Sequence, residues 1–204
     1  MLRTELEIRP GQRRDLGSIV DIYNHYVEHS AATFEVSPVR PADRLDWFRE
    51  HSLGGRHRLW VAVAAGSGVR GWATTSPFRS RAAYLTTVES SVYVESSSMG
   101  QGIGSRLYRS LFESIRSEDI ERIVAGISLP NPASLALHHH FGFRHVGTFS
   151  RVGRKFGEYW DVAWFERPRK VPHRARRNVR HSFAGRPREG PTEVTRLTRG
   201  SAYG

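Results

Sequence analysis

Three glycines at alternate positions, Gly100, Gly102 and Gly104, stand just before a helical pattern of Leu107, Leu111 and Ile115. Without Cβ atoms, the backbone N–H groups of such a turn can crowd inward, and the helix N-terminus behind it adds partial positive charge. That combination suits an anion, most often a phosphate. It is neither of two better-known glycine loops. A dinucleotide fingerprint needs G-x-G-x-x-G, and Ser105 and Leu107 occupy the positions where its last glycine would fall. A Walker loop needs a Lys followed by Ser or Thr, and no Lys lies near. An ordinary strand-to-helix turn would also use such glycines. What sets this one apart is a carboxylate upstream, Glu89, and the segment 131–143 downstream, with Asn131 and His138.

Residues 87–94 alternate in the manner of a strand. Val88, Ser90, Val92 and Val94 share one face, and Glu89 shares the other with Thr87, Ser91 and Tyr93. A carboxylate on a central strand is seldom a core filler. It is either a proton acceptor or one half of an edge ion pair. His138 likewise has two uses, as a proton donor or as a helical histidine packed on the sheet and bonded to backbone. Two other histidine patterns imitate metal sites. His25, Glu28 and His29 match H-x-x-E-H, but a catalytic zinc needs a third protein ligand, and none is distinguished downstream. His138, His139 and His140 are consecutive, so on a helix they point ~100° apart and cannot converge on one ion. With no cysteine in the chain, thiolate ligands and disulfides are excluded, and no metal is expected.

The elements that position these groups follow from periodicity. LEIRP (6–10) reads as a strand, and Asp15 as the cap of a helix burying Leu16, Ile19, Val20, Tyr23 and Val27. Residues 30–41 form a loop with an apolar tip at Phe34, followed by a second helix over 42–51. Strands are predicted at 59–64, 69–75 and 84–94, then a helix over 102–117, a buried strand at 123–127 and a helix opened by Pro132. Residues 146–152 and 159–165 close the pattern as a hairpin around RKFGE. The order predicts a single α/β domain over residues 1–167, built on a mixed, largely antiparallel sheet flanked by helices.

The chain has 204 residues, enough for one good core. No run approaches ~20 apolar residues, so no membrane span is expected. The charged N-terminus does not read as a signal peptide, and the cytoplasm is the expected compartment. The net charge of +11 is uneven: residues 168–204 hold ten Lys or Arg against Glu189 and Glu193, leaving the first 167 residues only +3. That basic tail is rich in Pro, Arg, Gly and Thr, lacks apolar periodicity, and reads as disordered. Arg174, Arg176, Arg177 and Arg180, with Phe183, suit weak nonspecific contact with nucleic-acid phosphates. An interaction protein working through this tail is the alternative function class.

Several motifs in order, IYNHYV, TVESSVYV, GQGIG, ISLPNPASLALHHHFGF and VGRKFGEYWDV, resemble the GNAT superfamily of N-acetyltransferases. Within it, they are similar to the phosphinothricin and methionine sulfone/sulfoximine branch. The resemblance implies acetyl-CoA as cosubstrate, a V-shaped splay between the strands at Val94 and Ile123, and a homodimer. It implies Glu89 as general base, backbone contacts to pantetheine from Val92, Tyr93 and Val94, and a pyrophosphate loop of Met99, Gly100, Gln101, Gly102, Ile103, Gly104 and Ser105. Asn131 and Ser134 fall on the far side of the splay, and His138 at the general-acid position. Met99 departs from the usual Gln or Arg, a modest loss where backbone amides do the binding. Arg79 and Arg81 lie where one can pair with an acidic group of the substrate, or both can be solvated surface. Phe34 and Tyr84 are candidate apolar walls of an amino-acid pocket. The implied chemistry is coherent. An α-amine with pKa ~8 is mostly protonated at pH 7, so attack on a thioester needs a base, and the departing thiolate needs a proton donor. Strand N–H groups near Val92 can hold the oxyanion. The acceptor can be a small amino acid-like amine, a protein N-terminus or another amine.

Overall fold

In the computed structural model, residues 6–51, 54–66 and 68–169 are described. The tail arginines singled out above lie outside them. Seven strands form one sheet in the order β1-β2-β3-β4-β5-β7-β6. They are β1 (Leu6–Pro10), β2 (Arg58–Ala64), β3 (Gly68–Pro77), β4 (Thr87–Val94), β5 (Arg122–Ser128), β6 (Arg144–Lys155) and β7 (Glu158–Pro168). Four helices cover it: α1 (Leu16–His29), α2 (Leu45–Arg49), α3 (Ile103–Ser114) and α4 (Pro132–His140). All neighbouring strands are antiparallel except β4 and β5.

Alternation along the central strands separates two cores. From β2, Leu59 and Val61 pack with Ile19 and Ile22 of α1 and with Trp72. Ala62 points to the other face, with Ile103, Leu107, Tyr108 and Leu111 of α3. Tyr93 of β4 joins the α1 side, Val92 and Val94 the α3 side. Burying a Leu or Ile in this way is worth about 1.5–3 kcal/mol each, so the periodicity that predicted the helices also fixes which face of β4 each helix covers.

The parallel pair is short. β4 and β5 are registered only at Thr87↔Arg122, Val88↔Ile123 and Glu89↔Val124. Beyond this point β4 continues to Val94 and β5 to Ser128 without pairing to each other, each still paired on its other side with β3 or β7. The splay lies between the strands that hold Val94 and Ile123 and opens past Val124.

Other differences have local causes. Asp15 does not cap α1 with its side chain. It is buried and takes both guanidinium N–H groups of Arg9, at 2.7 and 2.8 Å, and the Gln12 amide. Burial pushes this carboxyl up, and those hydrogen bonds outweigh it, leaving it below the ordinary range. Tyr84 ends a short 3-10 turn, Ala82–Tyr84, ahead of β4 instead of starting the strand. The second helix begins as a 3-10 turn at Pro41–Arg44. The final hairpin is longer than expected and turns at Phe156 and Gly157, both with positive φ (56° and 81°), the twist that a two-residue hairpin loop requires.

Candidate active site

The splay opens into a cavity of about 480 Å³ that reaches both faces of the sheet. Its walls are the unpaired stretch of β4 from Ser90 to Val94, the end of β5, the glycine loop, and the first turns of α3 and α4. Val92, Tyr93, Val94, Met99, Gly100, Gly102, Ile103, Gly104, Ser105, Asn131, Ser134 and His138 all line it. Gln101 does not; its amide donates to Ser97 O at 3.4 Å.

The glycine loop has a geometry that can hold an anion. Gly100 and Gly102 have φ of +77° and +76°, and a Cβ at either would meet nothing within 4 Å. Their requirement is thus backbone conformation, one that β-branched residues strongly resist. Gly102 is the N-cap of α3, and no side chain caps that helix. The amides of its first turn are left facing the cavity end with the helix dipole behind them. Gly104 differs: its φ is ordinary, and a Cβ would approach Leu137 Cδ2 at 3.3 Å, so it serves the close passage of α3 past α4. Asn131 caps α4, its Oδ1 accepting from Ser134 N at 3.1 Å.

Glu89 stands at the last paired position before the splay. It does not line the cavity wall itself but directly precedes the lining run, on the α1 face shared with Ser91 and Tyr93. Its carboxylate takes no hydrogen bond from the described residues. Burial raises its pKa above the ordinary carboxylate value, and Arg79 offsets part of that rise. The ion-pair use foreseen for Glu89 is absent among the described residues, whose salt bridges leave it out.

Across β4, on the α3 face, lies a group that residue spacing did not single out. Tyr108, fully buried in α3, places its hydroxyl 3.0 Å from His138 Nε2 and 3.4 Å from Ser90 Oγ. His138 Nδ1 is 2.8 Å from the Ser134 carbonyl, which can only accept. Nδ1 therefore carries the ring proton, and Nε2 accepts from the Tyr108 hydroxyl. Burial lowers the His138 pKa, partly offset by that carbonyl, and the ring is 3% exposed. In this tautomer His138 has no proton to offer the cavity. Tyr108 holds one, resting on His138 Nε2 and able to turn from it, and burial pushes its phenol up so that it stays protonated. The only signal in the sequence was its position next to Leu107 on the buried stripe of α3, which reads as core.

The candidate acceptor residues are placed unevenly. Arg79 lies 4.2 Å over the Phe78 ring and close enough to influence Glu89. Tyr84 packs edge-on to Phe78, which in turn packs on Trp164. Arg81 is exposed. Phe34 lines neither cavity; its ring sits against the backbone of Gly153 in β6, where a Cβ would meet Phe34 Cζ at 2.3 Å. A second cavity of about 150 Å³ adjoins the first through Ser91 and Tyr93 and is lined by Tyr23, Arg44, Trp47 and Trp72. The H-x-x-E-H residues do not form a site: His25 and His29 are stacked at 4.9 Å, and no group of metal ligands occurs among the described residues.

Comparison with known proteins agrees with this geometry. The acetyltransferase (GNAT) family model matches residues 19–143. A phosphinothricin N-acetyltransferase from Streptomyces coelicolor is 52% identical over 165 residues, 80% of this chain and 96% of that protein. An L-methionine sulfoximine/L-methionine sulfone acetyltransferase from Pseudomonas aeruginosa is 35% identical over 159 residues, 78% of this chain and 92% of the relative. A GNAT superfamily phosphinothricin acetyltransferase from Sinorhizobium meliloti, solved in complex with acetyl-CoA, superposes with a TM-score of 0.75 at 32% identity, over 80% of this chain and 88% of that one. A strand splay, an uncapped helix behind a glycine turn, and these relatives lead to one assignment: the chain belongs to the GNAT family and is an acetyl-CoA-dependent N-acetyltransferase.

Proposed function

We propose that the protein acetylates the primary amine of a small amino acid-like acceptor of the phosphinothricin or methionine sulfone/sulfoximine type. The observation that carries this reading is the placement of Glu89 and Tyr108 on opposite faces of β4, at the root of one through-going cavity. The amine enters on the α1 face, where Glu89, its basicity raised by burial, removes the ammonium proton directly or through a water. Attack then occurs within the gap, where unpaired β4 amides near Val92 hold the oxyanion. Tyr108, its single hydroxyl proton turning from His138 Nε2 toward the gap, donates a hydrogen bond to the charge that develops as the thiolate departs. This moves the part foreseen for His138 to Tyr108 and makes His138 its positioning partner. With no cysteine, no thiol nucleophile is at hand, and direct transfer is the economical route. Arg79, beside Glu89, is the candidate for pairing with the acceptor's acidic group, in keeping with what the Streptomyces and Pseudomonas relatives are named for acetylating.

The test is a comparison of kcat/KM for L-phosphinothricin, L-methionine sulfone, their carboxyl amides and a short peptide with a free N-terminus. The free acids are expected to lead, and the amides to lose roughly tenfold or more through the missing charge-assisted hydrogen bond. Equal rates for acids and amides would remove the acidic-group reading; a preference for the peptide would replace the substrate class.

For the cofactor, Gly102→Val is expected to weaken CoA binding more than pantetheine binding, because Val resists a φ of +76° and the pyrophosphate turn would open. Calorimetry showing equal losses for both ligands would mean that the turn does not hold the pyrophosphate. Gly102 replaces Gly104 as the position to change, since Gly104 has an ordinary φ.

A homodimer suits the edge strand β6, whose hairpin exposes Val146, Phe149, Val152, Phe156 and Tyr159. A monomer mass by light scattering would end that reading. The tail beyond Arg169, outside the described residues, adds nonspecific phosphate affinity at most, and the cytoplasm is the proposed compartment.

A further inference from the structure

Lys155 is a buried ammonium that the chemistry above does not use. It is 4% exposed and pairs with no carboxylate among the described residues. Its three protons go to three backbone carbonyls, Tyr26 O at 3.2 Å, Ser30 O at 2.7 Å and Thr33 O at 2.8 Å. A lysine has three donors, so the group is fully satisfied. Two of the acceptors belong to the end of α1 and its C-cap, where the helix dipole favours a cation. The third lies beyond the helix, in the loop that follows. One charge thus joins a helix end, a loop and the end of β6.

That loop forms part of the cavity on the Glu89 side. Ala32 lines the cavity together with Tyr26. Ala31 O accepts from Ser128 Oγ of β5 at 2.5 Å, and Thr33 Oγ1 is 2.7 Å from the Tyr23 hydroxyl. Phe34, the next residue, rests on Gly153, two residues before Lys155 in the same strand. The β6–β7 hairpin therefore holds residues 30–34 at two points, one through charge-assisted hydrogen bonds and one steric.

We propose that Lys155 is a positioning residue for the amine acceptor: it clamps the loop 30–34 so that the acceptor side of the cavity keeps its shape, with Gly153 as the second anchor. The cofactor side is built from the glycine loop and α3; the clamp meets it at Tyr26, whose hydroxyl donates to Val94 O at 2.6 Å, and Tyr26 is held within α1 while residues 31–34 lie beyond that helix. Loss of the clamp therefore acts on the amine and spares acetyl-CoA. This proposal rests on the acetyl-transfer reading, and its test keeps the two separable.

In the full-length Lys155→Met variant, KM for the accepted amine is expected to rise by roughly tenfold or more, while the dissociation constant for acetyl-CoA stays within about twofold. With acetyl-CoA bound, backbone amides of residues 31–35 should exchange with deuterium faster than in wild type, and those of β2 and β3 should not. Because the natural chain has no cysteine, Lys155→Cys can be alkylated at that one position under denaturing conditions and refolded. Aminoethylation restores an ammonium at nearly the original reach and should restore the amine KM; carbamidomethylation should not. Should removal of the ammonium prevent folding, Gly153→Ala carries the test, since its Cβ would displace the Phe34 ring while leaving the charge in place. An unchanged amine KM in either folded variant, or an equal loss for acetyl-CoA, overturns the proposal. If wild type acetylates no amine, the function assignment fails by itself, and exchange at residues 31–35 still decides whether the clamp exists.

Discussion

Glu89→Gln is expected to keep the fold and acetyl-CoA affinity and to lower turnover with a small amine at pH 7 by roughly 10²–10⁴-fold, the usual value of a positioned general base. Gln fills the same space at the root of the splay but cannot take a proton. Part of the rate should return as pH rises, because more of the acceptor is then neutral. The same variant has a stability signature. A carboxyl whose pKa is raised on folding carries a penalty that is present above the folded pKa and absent below the unfolded one. The Gln protein should therefore melt no lower than wild type at pH 7, with any advantage fading as pH falls through the carboxylate range. Wild-type turnover in the Gln variant at pH 7 would remove Glu89 from the mechanism.

The second large effect concerns Tyr108. Tyr108→Phe keeps the ring that packs against Phe112, Phe141 and Phe143 and removes only the hydroxyl that lies between His138 and Ser90. A hydrogen-bond donor aimed at developing charge in a buried site is worth roughly 10²–10³ in kcat. The loss should fall on kcat and kcat/KM together, with the acetyl-CoA dissociation constant little changed. Because burial holds the phenol protonated, wild-type kcat should show no decline near the ordinary tyrosine range that Phe abolishes. If Tyr108→Phe retains full kcat while a His138 variant loses it, the histidine is the donor after all, and the tautomer drawn from its 2.8 Å contact to Ser134 O does not describe the working enzyme.

The legible parts of this protein were those that short-range rules control. The period-two alternation of residues 87–94 placed Glu89 with Ser91 and Tyr93 and opposite Val92, and β4 keeps that division. Glycine spacing marked the turn before α3 because positive φ, taken by Gly100 and Gly102, is a backbone demand that few residues meet. What stayed hidden depended on contacts between distant segments. Tyr108 looks like one more core residue on α3 until α4 brings His138 to its hydroxyl. Phe34 looks like a free loop tip, yet Gly153, far along the chain, gives its ring a seat. Lys155 lies in the RKFGE run that reads as the turn of the closing hairpin, and only the folded hairpin delivers its ammonium to the end of α1. Asp15 shows the same limit in miniature: an acidic residue before a helix reads as a cap, but Arg9 on β1 takes it instead. Where the splay starts was not legible, because strand pairing partners, unlike strand faces, leave no periodic trace.

Direct passage of an acetyl group from acetyl-CoA to a small acidic amine is the step proposed for this cavity. Mixing the full-length protein with acetyl-CoA and L-phosphinothricin or L-methionine sulfone, then following free thiol and product mass together, tests it most directly. One thiol released per N-acetylated acceptor, none released without acceptor, and no acetyl mass left on the protein is the predicted result. Acetyl-CoA that binds but transfers to neither acceptor, or a stable acetyl-enzyme that forms before the amine is added, would contradict it.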